Sequence, residues 1–102
     1  MSVTKEVSAD NQRVVISIDN RFDFSLHQKF RDAYAELELS SADYVLDLSK
    51  TSYMDSSALG MILLLKDHAE KHSGKVVISK PTPSVYKILE IAQFHRLMTI
   101  EQ

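Results

Sequence analysis

The chain of 102 residues contains no cysteine. That removes disulfides, thiolate nucleophiles and cysteine-ligated zinc together, and it fits a reducing compartment. Glycine is scarce as well, with two in the whole chain. No G-x-x-x-x-G-K loop is present to cradle a phosphate, so ordinary nucleotide hydrolysis is not indicated. The longest apolar run, Met61 to Leu65, is far short of the roughly 20 residues that a membrane span needs. Direct membrane insertion is therefore not expected. The first 20 residues are charged and lack the apolar core of a signal peptide. Neither sign of charge dominates: the net charge is −2 and no basic patch stands out. Nucleic acid and anionic membrane surfaces are thus poor partners for it. What remains is a composition of 44% hydrophobic and 25% charged residues, ordinary for a soluble globular protein. The expectation is one cytoplasmic domain over residues 1–102, long enough for a single modest core.

Periodicity places the elements. Val3 to Val7 and Arg13 to Asp19 read as strands, with Asp10-Asn11-Gln12 as the turn between them. Leu26, Phe30, Ala33, Tyr34 and Leu37 recur at helical spacing, and Ser25 with Gln28 has the spacing of a capping box. Tyr44 to Leu48 is a third strand, and Ser49 to Met54 carries the chain to the next turn. A second helix runs from Ser56 or Ser57 to His72, apolar nearly all round in its first half and stopped by Gly74. Gly60 inside it costs about 1 kcal/mol relative to alanine, which close packing on a neighbouring backbone would explain. Val76 to Ile78 is a fourth strand. Thr82 and Pro83 open a third helix as cap and first residue, and Leu97 to Ile100 is a last strand. The order β-β-α-β-α-β-α-β predicts an α/β fold with helices packed on a mixed sheet, parallel in its later part.

The chain is organised around Tyr53-Met54-Asp55-Ser56-Ser57-Ala58-Leu59-Gly60. Two hydroxyls and a carboxylate stand at a strand-to-helix turn. The first turn of a helix has free N–H groups and the positive end of the helix dipole, so it tolerates an anion. An ordinary N-cap by Asp or Ser uses the same residues. Hydrolysis would need a nucleophile, a base and an orienter. Ser56 and Asp55 are here, and His27, His68, His72 and His95 lie elsewhere. No G-x-S-x-G elbow is present, and adjacent Asp and Ser side chains diverge on a turn, so no enzyme is expected. His68 and His72 are four apart on one helix. No third ligand accompanies them, and two exposed histidines suit a helix C-terminus without a metal. Neither metal nor cofactor is implied.

Asp47-Leu48, five intervening residues, then Met54-Asp55-Ser56-Ser57-Ala58-Leu59-Gly60 resembles the signature of STAS domains, the family of sulfate-transporter and anti-sigma-factor-antagonist domains. That signature is a D-L strand end followed by M/I-D-S-S/T-G-L-G. The resemblance extends to the element order and to Arg21-Phe22-Asp23 before the first helix, and is nearest to the free-standing bacterial anti-sigma-factor antagonists (anti-anti-sigma factors). It implies the STAS-type mixed sheet and a partner-switching role. The first serine after the aspartate would be phosphorylated, which here is Ser56. Asp55 would set the turn, Asp23 would be the acidic residue beside the phosphosite, and Ser57 would be a second hydroxyl that is not the acceptor. The implied partners are an anti-sigma factor or similar regulator, a serine kinase and a PP2C-type phosphatase. Met54, Ala58 and Met61 are the apolar residues expected at the partner contact. Ala58 stands where the family has glycine, so the backbone there is expected to be regular helix; Asn20 also replaces a glycine, and asparagine tolerates positive φ. The C-terminal helix of many relatives is expected to be absent, since the sequence ends at Gln102. The alternative reading is a STAS adaptor subunit of a membrane lipid-transport ABC complex.

Overall fold

The computed structural model describes residues 2–102. Strands β1 (Val3–Val7) and β2 (Arg13–Ile18) form an antiparallel hairpin. Its turn is held by Asp10, whose carboxylate accepts from Ser8 Oγ at 2.6 Å and from the Gln12 N–H at 3.1 Å. Strands β4 (Asp43–Asp47), β6 (Lys75–Ser79) and β7 (Thr99–Glu101) extend the sheet in the order β1-β2-β4-β6-β7, each parallel to its inner neighbour. The crossovers contain helices α1 (His27–Tyr34), α2 (Ser56–Lys71) and α3 (Pro83–Ile91).

This strand order moves steadily one way across the sheet. Right-handed crossovers then put every helix on the same face. Burial agrees: Val14, Ile16, Ile18, Tyr44, Leu46, Val76 and Ile78 share one core with Phe30, Ile62 and Leu89 of the helices. The intervening Val45 and Val77 are buried yet stand outside that core. Period-two alternation along β2, with Val15 and Ser17 only half-buried, is what a sheet covered on one face demands.

The expected order of strands and helices is therefore that of the main sheet, with two short strands in addition. Asn20–Phe22 (β3) and Thr51–Met54 (β5) are not plain connections: they pair in parallel as a second, two-stranded sheet. Asn20 sits at φ 65° and turns the chain away from β2, a conformation asparagine tolerates. Its N–H donates to the Lys50 carbonyl at 2.8 Å. Thr51, fully buried, anchors the other strand by donating its hydroxyl to the Ile18 carbonyl at 2.8 Å.

Three local expectations change. Ser25 does not cap the first helix; it lies within a 3₁₀ turn, Phe24–Leu26, whose cap is Asp23. Thr82 does occupy the N-cap of α3, with Pro83 first in the helix, but its hydroxyl donates to the Thr51 carbonyl at 2.9 Å instead of capping. Finally, His68 is not a solvated surface residue. It is half-buried, its Nε2 donates to the Leu37 carbonyl at 2.7 Å, and its ring meets those of Tyr34, Tyr44 and His72 edge-on. Burial pushes its imidazole below the usual histidine range, against the opposing pull of the Leu37 bond.

Candidate functional site

The β3–β5 pairing decides which residues stand side by side. Phe22 is in register with Met54, so the next residues, Asp23 and Asp55, leave the small sheet as neighbours. The Asp55 N–H still reaches the Phe22 carbonyl at 3.4 Å. Each aspartate then caps the turn that it opens. Asp23 Oδ1 accepts from the backbone N–H of Ser25 at 3.0 Å and from its hydroxyl. Asp55 Oδ1 accepts from the Ala58 N–H at 3.2 Å and from the Ser57 hydroxyl at 2.6 Å. The two turns thus share one Asp-x-Ser arrangement. The aspartate and the serine two positions later lock together, and the residue between them is turned out to solvent. In the first turn that residue is Phe24, and in the second it is Ser56.

The two hydroxyls expected at the site therefore differ in kind. Ser57 is half-buried and bound to Asp55, whereas Ser56 is exposed at the first position of a 16-residue helix. A negative group on Ser56 would lie among first-turn N–H groups at the positive end of α2. The Asp23 carboxyl is held below the usual carboxylate range, chiefly by the Ser25 hydroxyl, against the opposing effect of burial and with further lowering from the Ser25 N–H and from Arg21. Arg21 Nε donates to Asp23 Oδ2 at 3.2 Å. Its guanidinium lies 4.3 Å from the centre of the Tyr53 ring, its partner across the β3–β5 ladder.

Met54, Ala58 and Met61 do not form the expected contact surface. They are 2%, 0% and 4% exposed and belong to the core. Met54 pairs with fully buried Phe22, and Ala58 and Met61 lie on the inward face of α2 with Ile62, Leu65 and Ala69. The apolar groups that do reach solvent here are Phe24, Tyr53, Leu63 and Leu64. Sequence reasoning missed Leu63 and Leu64 because an apolar run that covers the whole circumference of a helix does not say which side faces in. The available signal was Ser56, four and eight residues before Gly60 and Leu64, which puts all three on one helical face.

Gly60 lies on that face, exposed, and a Cβ built on it would meet nothing within 4 Å. The close packing expected there is absent. Gly60→Ala should therefore raise stability by about 0.5–1 kcal/mol, since it removes backbone entropy from the unfolded chain without a clash. A denaturant midpoint lower than that of the parent protein would contradict this.

Among the described residues no group of three or more His, Asp or Glu side chains is placed to hold a metal, and no helix is long and apolar enough to cross a membrane. The family model of the STAS domain matches residues 3–102. The chain belongs to the STAS domain family. A STAS-domain containing protein of Pseudomonas aeruginosa (strain UCBPP-PA14) is 46% identical over 100 residues, covering 98% of this chain and 99% of the relative. Among solved structures, this STAS domain is similar to the anti-sigma factor antagonist SpoIIAA in its unphosphorylated form (TM-score 0.70, 18% identity, 98% of this chain and 86% of that one). The phosphorylated form of the Bacillus cell fate determinant SpoIIAA gives 0.68, at 19% identity, over 98% and 91% of the two chains. The STAS domain of a SulP transporter from Vibrio cholerae is similar to the same degree (TM-score 0.73, 17% identity, 93% and 77%). At these identities the structural likenesses establish a shared fold.

Proposed function

We propose that this STAS domain is a cytoplasmic partner-switching regulator of the anti-sigma-factor-antagonist type, a binding protein and not an enzyme. In its bare form it binds an anti-sigma factor or similar regulator. Phosphorylation of Ser56 by a serine kinase weakens that binding, and a PP2C-type phosphatase restores it. The observation that carries this reading is the division of labour at the α2 turn. Asp55 and Ser57 hold the cap between them, which leaves Ser56 exposed and free to be modified without loss of the cap. Phosphate adds about 1.5–2 negative charges at neutral pH and three acceptor oxygens. The helix N-terminus tolerates it, so the domain stays folded, while a docked partner has to desolvate it. A coupling of about 1–3 kcal/mol, or roughly 5- to 150-fold in affinity, suffices for a switch.

Intact-mass measurement with site mapping on protein recovered from its native cells tests the first half. The expected result is one phosphate that maps to Ser56 and disappears in Ser56→Ala. The second half predicts that phosphorylated protein or Ser56→Asp binds the regulator at least fivefold more weakly, with Ser56→Ala locked in the binding form. Equal affinity of bare and phosphorylated protein would refute the switch.

The likeness to a transporter STAS domain favours one second reading, an adaptor subunit of a membrane transport complex such as a lipid-transport ABC assembly. Co-purification with an ATP-binding cassette subunit, together with no phosphate under any growth condition, would select it. Ser56 would then be only the first residue of a capped helix.

A further inference from the structure

The turn at Ser56 is poor in positive charge. Residues 20–26 and 51–60, which form β3, β5 and the two turns that follow them, hold three charged side chains: Arg21, Asp23 and Asp55. A phosphate on Ser56 would add about 1.5–2 negative charges beside the two carboxylates. Arg21 is the single cation that these segments offer it. We propose that Arg21 receives the phosphate. In the bare protein it is tied to Asp23; on phosphorylation of Ser56 its guanidinium turns to the phosphate and lets Asp23 go. The inference rests on the partner-switching reading and names the group inside this chain that registers the modification.

The β3–β5 ladder sets the place of this arginine. Arg21 is in register with Tyr53, one position before the buried pair Phe22 and Met54. Side chains alternate along a strand, so Arg21 and Tyr53 stand on the outer side of the ladder, beside the point where Asp23 and Asp55 leave it. The half-exposed Tyr53 ring gives the guanidinium a seat, with 4.3 Å between the guanidinium carbon and the ring centre. Asp23 holds it from the other direction, accepting from Nε at 3.2 Å. The fork is thus oriented but not used up. Its terminal N–H groups donate to no acceptor among the described residues, and a guanidinium fork matches the geometry of a phosphate. The side chain is 63% exposed, and an exposed ion pair adds little to folding. Asp23 also loses little if the pair opens. The Ser25 hydroxyl is the main group that keeps its carboxyl ionised, and Arg21 is a lesser contributor.

Charge sets the direction of the exchange. A phosphate dianion carries more charge than a carboxylate and offers three acceptor oxygens. Arginine can bond two of them at once, whereas Asp23 receives a single N–H from it. Arg21 is therefore held more strongly at the phosphate than at Asp23. The exchange changes more than the charge at Ser56. Asp23 Oδ2 loses its cation and the outer face of Tyr53 is uncovered, so the modification alters both strands of the small sheet where a partner would meet them.

The test builds phosphoserine into the full chain in place of Ser56 and follows its phosphorus NMR signal with pH. The parent is compared with Arg21→Gln, Arg21→Lys and Asp23→Asn, and the melting of each is measured in parallel. The second ionisation of the phosphate, near pH 6 for phosphoserine, should lie about one pH unit lower in the parent than in Arg21→Gln, the lower end of the range for an acid beside an arginine. Arg21→Lys should fall between them, because lysine keeps the charge and loses the fork. Asp23→Asn should lie lowest, since it removes both a like charge and the competitor for Arg21. Added salt should narrow the differences, and melting temperatures should stay level. Binding of the bare and phosphoserine forms to each purified anti-sigma factor of the source cells completes the test. Equal titrations in the parent and Arg21→Gln would overturn the Arg21 contact, and the switch would stand if phosphoserine still weakens binding. A lower titration in the parent, with binding indifferent to phosphoserine, would overturn the switch and leave the Arg21 contact standing.

Discussion

Phe22→Ala is expected to cost about 3–5 kcal/mol, the range for truncating a buried phenylalanine. Phe22 is fully buried, its ring centroid is 5.1 Å from that of Phe30, and it lies opposite Met54 where the small sheet meets the core. Truncation removes the apolar contacts and leaves a cavity between α1, β3 and β5 that a rigid ladder cannot easily close. Against a typical stability of about 5–15 kcal/mol, the loss brings the domain near its folding threshold. Urea titration should show a lower midpoint with an unchanged slope, the signature of reduced stability at constant exposed area. Phe22→Leu should recover most of the loss, because it keeps the site filled. The residue matters for function through its neighbours. It directly precedes Asp23, and its carbonyl receives the Asp55 N–H. If the proposed switch operates, any of the variant that remains folded should be a poorer substrate for phosphorylation at Ser56. A cost below about 1 kcal/mol would show that β3 and β5 are not packed against the core.

Gly74→Ala is the second large effect, expected at about 1–3 kcal/mol or more as an overpacked site. A Cβ at Gly74 would lie 2.1 Å from the carbonyl oxygen of Ala42. That oxygen cannot move cheaply. It belongs to a fully buried residue, accepts from the Lys75 N–H at 3.3 Å, and immediately precedes the β4–β6 register. Helix α2 has to end here so that β6 can begin beside β4. The left-handed residue of this helix end is Ser73, at φ 63°, with the Gly74 N–H donating back to Ala69 at 2.8 Å and the Ser73 N–H to Glu70 at 3.0 Å. Glycine stands after it for closeness and not for dihedral freedom. Adding one methyl group at Gly60 and at Gly74 should thus change stability in opposite directions. Thermal melts of the two alanine variants side by side provide the check, and two upward shifts would refute the close approach.

The two glycines show what a sequence leaves undecided. A helix-interior glycine suggests a crowded neighbour, and a glycine after an amphipathic run suggests a left-handed stop. Both suggestions are local, and here the crowding lies at Gly74, set by Ala42, which is 32 positions away. The same limit applies to the site. Asp55 as cap of α2, Ser56 as first helical residue and Ser57 beside them can be read from near neighbours and from the spacing after Asp47-Leu48. The side chains that surround Ser56 cannot. Leu59 to Leu65 supplies apolar residues to every side of α2, and only the sheet beneath selects Met61, Ile62 and Leu65 for the core and leaves Leu63 and Leu64 in water.

The sequence by itself determined the alternation of strands and helices, their one-sided apolar patterns, the turn at Asp55-Ser56 and the family signature, because each depends on residues within a few positions of one another. The tertiary structure supplied the pairing that sets Asp23 next to Asp55, a proximity that the sequence offered only through the family resemblance. Strands β3 and β5 pair across some thirty residues of chain, and three- and four-residue strands carry too little local signal to announce a partner that far away. It also decided that Met54, Ala58 and Met61 lie inside while Phe24 lies outside, since burial is a property of the assembled core and not of the residue type.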